Sequence, residues 1–159
     1  MQNKVFNVIV SGLGGQGVLK VTDILAAALF ECGFDVKKSE VHGMSQRGGS
    51  VSSEVRFGEK VNSPMVPQGE ADILAVLDMT QVEVALPSLK DGGILVTPEN
   101  VPLDKLAHPK AMNTMILGAL SAHLPQIPED KMLAAVEAAF PEKLRDMNRE
   151  MFMIGRKNA

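Results

Sequence analysis

A short apolar strand that runs into a glycine-rich loop and then a helix most constrains the fold of this chain. Residues 5–10 form a β-branched run that stops at Ser11-Gly12, and apolar residues recur at helical spacing over residues 18–32. Gly33 stands where a helix can end in the left-handed conformation. Strand, glycine turn and helix open a βαβ unit, which predicts an α/β fold.

Later segments continue this alternation of strands and helices. Residues 34–36 begin a second strand, residues 51–57 alternate apolar and polar side chains, and residues 71–77 form an apolar strand that ends at Asp78. The pattern also predicts a long loop over residues 62–69, a short helix over residues 81–89 and a strand over residues 94–96. Three further helices are predicted over residues 112–124, 128–140 and 141–153. We therefore predict a Rossmann-like, mainly parallel sheet with helices on both faces, built as a single domain over residues 1–159.

Charge and cysteine content exclude several classes of function. With 16 Lys+Arg against 19 Asp+Glu, the net charge of −3 argues against nucleic acid as the main partner. Cys32 is the one cysteine, so the chain cannot hold a disulfide or a four-thiolate iron–sulfur cluster, and we expect it to be buried. No apolar run approaches the ~18 residues of a membrane span and no signal peptide precedes the first strand, so we expect a cytoplasmic chain without a membrane partner.

The glycine loop Gly12-Leu13-Gly14-Gly15-Gln16-Gly17 matches the pattern G-x-G-x-x-G directly after a strand. Glycines permit a tight turn there, and the following helix presents unpaired N–H groups to an anion or a carbonyl. Glu40 follows Gly17 by 23 residues, close to where a dinucleotide fingerprint places its acid. Dinucleotide binding and a purely structural role, in which the glycines only pack helix on strand, both remain open.

A second glycine-rich loop surrounds His42 and Arg47 with glycines. Arg47 offers a bidentate donor for a carboxylate or phosphate, although a salt bridge to a partner chain is an equal alternative. His42 can titrate near neutral pH, although a hydrogen bond that orders the loop is the better explanation. These two residues are the catalytic candidates, and neither is assigned a catalytic role. Asn113 opens a predicted helix, where a cap or a first-turn hydrogen bond accounts for it.

The order of these motifs resembles the gamma subunit or domain of the 2-oxoacid:ferredoxin oxidoreductases, and most closely the small subunit of the indolepyruvate branch. The block His42-Gly43-Met44-Ser45-Gln46-Arg47-Gly48-Gly49 is the most specific part, because other branches carry a different sequence before Arg-Gly-Gly. The remaining blocks follow the family's order at residues 12–19, 55–58, 63–64, 71–74 and 113–119.

This resemblance implies a subunit of an enzyme that oxidatively decarboxylates a 2-oxoacid to an acyl-CoA and passes two electrons to ferredoxin. It implies that thiamine diphosphate, Mg and the iron–sulfur clusters lie on a large partner subunit, that coenzyme A is a co-substrate, and that ferredoxin is reached through the complex. We expect no metal or cofactor on this chain alone, and no activity without the partner. The implied ligand- or partner-facing loop residues are Gly12, Gly14, Gly15, Gln16, Gly17, Gly43, Ser45, Gln46, Gly48, Gly49 and Asn113.

Two other interpretations remain open. The first glycine loop together with Glu40 is compatible with a small NAD- or FAD-binding protein. The segment between Val96 and Asn113 is shorter than the family commonly has, and it lacks a strand and the linker before it. This departure is compatible with a non-enzymatic interaction domain of the same fold.

Overall fold

The computed structural model of this chain describes residues 4–42 and 49–159, with only the backbone of His42. Within these residues five strands form one sheet in the order β2-β3-β1-β4-β5. The strands are β1 (Phe6–Leu13), β2 (Asp35–His42), β3 (Ser50–Gly58), β4 (Ala71–Val76) and β5 (Leu89–Val96). The helices are α1 (Val18–Glu31), α2 (Val82–Ala85), α3 (Met112–Ser121), α4 (Glu129–Ala139) and α5 (Glu142–Lys157).

Four of the five strands point in the same direction, which confirms the predicted α/β fold with a mainly parallel sheet. β4 pairs in parallel with β1 and with β5. β3 lies between β1 and β2 and runs antiparallel to both. Helix α1 therefore connects two parallel strands, β1 and β2. Strand β3 then runs in the opposite direction and lies between them.

One face of the sheet carries most of the helical cover. α1 and α3 pack directly on this face, and α4 and α5 pack on those two helices. Val8 and Val10 of β1 and Phe57 of β3 point into this layer, where they meet Leu25 and Leu29 of α1 at nearly zero exposure. The 3.6-residue spacing that predicted α1 is therefore the spacing of its buried face.

The second face of the sheet has much thinner cover. Ile9, Leu74 and Val76 lie on this face and pack against Val66 of the loop before β4 and Val82 of α2. The predicted helix over residues 81–89 is shorter than expected, because α2 spans four residues and gives way to a 3₁₀ turn that contains Pro87. Helices therefore cover both faces, as predicted, but unequally.

Helices α3 and α5 approach each other closely because each carries a glycine at the crossing. A Cβ built on Gly118 of α3 would lie 2.0 Å from the Phe152 carbonyl oxygen, and one built on Gly155 of α5 would lie 1.9 Å from the Met115 carbonyl oxygen. Both neighbours are backbone atoms of a packed helix, so they cannot move aside. The two glycines thus set the distance between these helices.

Three further expectations can be compared with the fold. Cys32 is partly buried at the end of α1 rather than fully buried. Residues 97–111, which are described without a gap, contain three 3₁₀ turns and no strand. No helix within the described residues has the length and apolarity needed to cross a membrane.

Replacing Gly155 by alanine tests the close α3–α5 contact. Because the new methyl group would overlap a helix carbonyl, we expect Gly155→Ala to lower the free energy of unfolding by about 3 kcal/mol, the upper end for overpacking. Urea unfolding followed by circular dichroism measures the effect. Ala138→Ser, which adds one atom at an exposed position of α4, is the control and should stay within about 0.5 kcal/mol. An unchanged midpoint for Gly155→Ala would contradict the packing.

Candidate functional site

The candidate site lies at the edge of the sheet where β1 and β4 end. These two strands are parallel neighbours, so their carboxyl ends lie side by side. The glycine loop follows β1, and a turn that begins at Asp78 follows β4. Ligands of parallel α/β sheets bind at such an edge.

Gln16 joins these two strand ends. Its side-chain oxygen Oε1 accepts a hydrogen bond from the backbone N–H of Leu13 at 2.7 Å, and its amide nitrogen Nε2 donates to Oδ2 of Asp78 at 2.7 Å. Of the glycine-loop residues predicted to face a ligand or a partner, Gln16 therefore also has a positioning role. It holds the loop in one conformation against the end of the next strand.

Asp78 is a site residue that the sequence analysis treated only as the end of a strand. Its Oδ1 accepts hydrogen bonds from the hydroxyl of Thr80 at 2.5 Å and from the backbone N–H of Thr80 at 2.9 Å. The Thr80 hydroxyl, the Thr80 N–H and the Gln16 amide, in that order, hold the pKa of Asp78 below its ordinary value of 3.8. Its position directly after a buried strand was the available sequence signal.

The described end of the second glycine loop reaches the same edge. Gly14 donates its backbone N–H to the carbonyl oxygen of Gly49 at 2.9 Å. Ser50 donates its hydroxyl to Oε1 of Gln81, in the turn after β4, at 2.6 Å. Both glycine loops and the Asp78 turn are thus connected by hydrogen bonds. The other candidates of this loop lie outside the described residues: Gly43, Ser45, Gln46, Arg47 and Gly48. The side chain of His42 is also outside the described part of the structure.

Asn113 lies against the glycine loop at the start of α3. Gly17 has a φ of +84°, and a Cβ there would lie 2.3 Å from Nδ2 of Asn113. Asn113 is buried, and its Oδ1 accepts the backbone N–H of the adjacent Thr114 at 2.9 Å. It lies in the first turn of α3 and does not cap the helix, since Ala111 is the N-cap residue. The predicted loop and helix start therefore come together in space. They enclose a crevice of about 500 Å³ whose lining includes Gly15, Gln16, Gly17, Lys20, Lys110 and Asn113.

The position of Glu40 does not fit a dinucleotide site. In that fingerprint the acid ends the strand next to the glycine-loop strand. Here β3 separates β2 from β1, so Glu40 lies two strand spacings, roughly 10 Å, to the side. Glu40 is also exposed and forms an ion pair with Lys38 at 3.5 Å.

The side chain of His108 has a local structural role. Nδ1 of His108 accepts the backbone N–H of Lys110 at 3.1 Å and caps a 3₁₀ turn. In residues 4–42 and 49–159, no three His, Cys, Asp or Glu side chains lie together in a group that could hold a metal ion.

Comparison with known proteins identifies related chains. A family model described as pyruvate ferredoxin/flavodoxin oxidoreductase matches residues 7–158. Indolepyruvate oxidoreductase subunit IorB of Thermococcus kodakarensis is 30% identical over an alignment of 196 positions, which takes in 98% of this chain and 96% of that protein. Since this chain has 159 residues, at least 37 of the 196 positions are gaps in it.

Solved structures share the same fold. The gamma subunit of a keto/oxoacid ferredoxin oxidoreductase from Geobacter sulfurreducens superposes with a TM-score of 0.81 at 24% identity, over 97% of this chain and 98% of that one. A 2-oxoglutarate:ferredoxin oxidoreductase from Magnetococcus marinus, with 2-oxoglutarate, coenzyme A and succinyl-CoA bound, also gives a TM-score of 0.81, at 22% identity. The superposition includes 99% of this chain and 31% of the Magnetococcus chain, so the same fold occurs there as part of a longer polypeptide.

Two alanine substitutions in the glycine loop separate backbone strain from contact with Asn113. Gly15 and Gly17 both have positive φ, so an alanine at either costs roughly 1–2 kcal/mol. A Cβ on Gly15 meets nothing within 4 Å, whereas one on Gly17 overlaps Asn113. We therefore expect Gly17→Ala to lower the free energy of unfolding by about 1 kcal/mol more than Gly15→Ala. When both are measured in the Asn113→Ala background by urea unfolding, Gly17→Ala and Gly15→Ala should cost the same. Equal costs in the wild-type background would contradict the contact.

The lowered pKa of Asp78 predicts how stability depends on pH. The ionised carboxylate stabilises the fold above its unfolded pKa near 3.8, and this contribution is lost as the pH falls through the lower folded value. Asp78→Asn should therefore flatten the fall in melting temperature below about pH 4. Thr80→Val should raise the pKa of Asp78 towards 3.8, and by more than Gln16→Ala does, as measured by NMR titration of the carboxyl carbon. An unmoved titration in both variants would contradict the hydrogen bonds.

Proposed function

The chain belongs to the pyruvate ferredoxin/flavodoxin oxidoreductase family, and from this premise we propose which part of the catalytic work it performs. It is a small subunit of a 2-oxoacid:ferredoxin oxidoreductase, and its homologues belong to multi-subunit enzymes, which implies a larger partner subunit. Its relatives include subunits of indolepyruvate oxidoreductases, which supports an arylpyruvate as the substrate class. Residues 1–159 then act as one gamma-type domain of a cytoplasmic complex.

The proposed reaction is the oxidative decarboxylation of an arylpyruvate such as indolepyruvate to its acyl-CoA, with two electrons passed to ferredoxin. Enzymes of this family work with thiamine diphosphate and iron–sulfur clusters. The donor groups described in this chain suit neither a cluster nor a metal ion. Cys32 is its one cysteine where a cluster typically takes four thiolates, and its described part offers no group of metal-binding side chains. We assign both groups, with Mg, to the large subunit, through which ferredoxin is also reached.

The hydrogen bonds that link the two glycine loops and the turn after β4 are the main support for the proposal that this subunit contacts the cofactor site of its partner. The motifs that define the family resemblance are distant in sequence, yet Gly14 bonds to Gly49 and Ser50 bonds to Gln81 at one edge of the sheet. A fixed surface of backbone and small side chains can approach a partner's cofactor site closely. In thiamine enzymes the cofactor performs the carbon chemistry, so the subunit's work is to position groups and exclude water.

The crevice beside this edge is suited to an anionic co-substrate. Lys110 lies on its wall, and the start of α1 lies at Gly17. Lys20 also lines the crevice, although its Nζ donates a hydrogen bond to the carbonyl oxygen of Ala139. Helix N-termini and lysines together favour phosphate groups. We assign this crevice to a phosphate-bearing part of coenzyme A, the co-substrate that the reaction requires.

Reconstitution of the complex tests this function. We expect the chain to co-purify with the large subunit when the two are co-expressed, and the complex to reduce ferredoxin in the presence of indolepyruvate and coenzyme A. Each subunit alone should lack this activity. Elution of the chain by itself, or full activity of the large subunit without it, would contradict the proposal.

Steady-state kinetics of the same complex test the crevice. Lys110→Ala should raise the KM for coenzyme A about threefold to tenfold and leave the KM for indolepyruvate unchanged, because it removes one charge from the crevice wall. Lys105→Ala, at an exposed lysine outside the crevice, is the matched control. An equal effect of the two substitutions would show that the crevice does not bind the co-substrate.

A further inference from the structure

A groove crosses the thinly covered second face of the sheet, between β2, β3 and α2. It encloses about 280 Å³, and polar side chains of the sheet form its floor. The register of the strands places Ser11, Ser52 and Glu54 on this face, on the side opposite to α1. We call this feature the Glu54 groove.

Glu54 is a charged group held at the floor of the groove. The residue is only 9% exposed. Its Oε2 accepts a hydrogen bond from the hydroxyl of Ser39 at 3.3 Å. In the described part of the chain, no Lys or Arg nitrogen lies within the 4.0 Å of an ion pair with this carboxylate. A carboxylate that is buried in an interface is stable only when it is paired, so a chain that covers the groove must bring a cation to Glu54.

Exposed apolar side chains form part of the rim of the groove, beside polar residues such as Gln68. Val41 of β2 is 53% exposed and Val84 of α2 is 72% exposed, and both line the groove. Met79 and Leu86, on the segment that contains α2, are exposed by 43% and 44%. At a protein interface, a charged pair that is fully desolvated is surrounded by contacts that exclude water, and the apolar side chains around Glu54 can provide such contacts.

The groove is continuous with the site edge. Ser50 and Gln81, whose hydrogen bond links the second glycine loop to the turn after β4, also line the groove. A chain that covers the edge can therefore extend onto the second face. We propose that the large subunit docks in the Glu54 groove and inserts a lysine or arginine side chain that pairs with Glu54, an inference that rests on the proposed function.

A second groove on the opposite face lacks these features. It encloses about 630 Å³ between α1 and α4 and includes the exposed Phe30. Of the charged side chains on its wall, Lys38 has ion pairs with Asp23 and Glu40. Phe30 therefore provides a control position, an exposed apolar residue in a groove on the other face of the sheet.

Measured affinity of the chain for the large subunit tests the inference. Val84→Asp should weaken binding at least tenfold by placing a charge on the apolar rim, and circular dichroism should show an unchanged fold because the side chain is exposed. Glu54→Gln keeps an oxygen for Ser39 but removes the charge. It should weaken binding about tenfold and reduce the dependence of Kd on salt. Phe30→Asp and Glu150→Gln, the latter at an exposed acid of α5, should stay within twofold of the wild-type Kd.

The outcomes distinguish this inference from the proposed function. If the wild-type chain does not bind the large subunit, the proposed function fails and this inference fails with it. If the wild type binds but both Val84→Asp and Glu54→Gln bind equally well, only the inference is overturned. Loss of binding in Phe30→Asp alone would place the partner on the opposite face and would also overturn it. Weakened Val84→Asp with an unaffected Glu54→Gln would refute the cationic anchor.

Discussion

The hydrogen bonds of the Gln16 side chain are the interaction on which the candidate site depends. One amide group binds the end of β1 through Leu13 and the end of β4 through Asp78. With the loop held in this way, Gly14 is placed to bond Gly49 and Gly17 is placed against Asn113. Segments that are up to about a hundred residues apart in sequence thereby form one surface. The negative charge of Asp78 is stabilised by the same contact and by Thr80, so the turn and the loop order each other.

Much of the fold follows from local sequence patterns, because those patterns report which side chains are buried. The apolar run after Glu70 is β4, and the stripe that begins at Val18 is the buried face of α1. The place of β3 in the sheet could not be predicted in the same way. Its alternation of side chains is compatible with either strand direction, and only the pairing with both β1 and β2 decides it. The incompatibility of Glu40 with a dinucleotide site follows from that pairing and was equally hidden.

Glycines predicted for the site proved to have different physical roles. Gly17 is required because its backbone is left-handed and faces Asn113, whereas the contact made by Gly14 uses only its backbone N–H. Asp78 and the groove around Glu54 went unrecognised, since neither belongs to a motif and both depend on neighbours from other strands. A single cysteine limits the redox chemistry of the chain, which supports the proposal that the cofactors lie on a partner subunit.

The central claim is that the edge formed by the two glycine loops and the Asp78 turn faces the large subunit. Hydrogen exchange of backbone amides, compared between the free chain and its complex with that subunit, tests this most directly. We predict slower exchange in the complex over residues 12–17, 49–52 and 78–82. Slower exchange confined to α4 and α5, with the edge unchanged, would contradict the account.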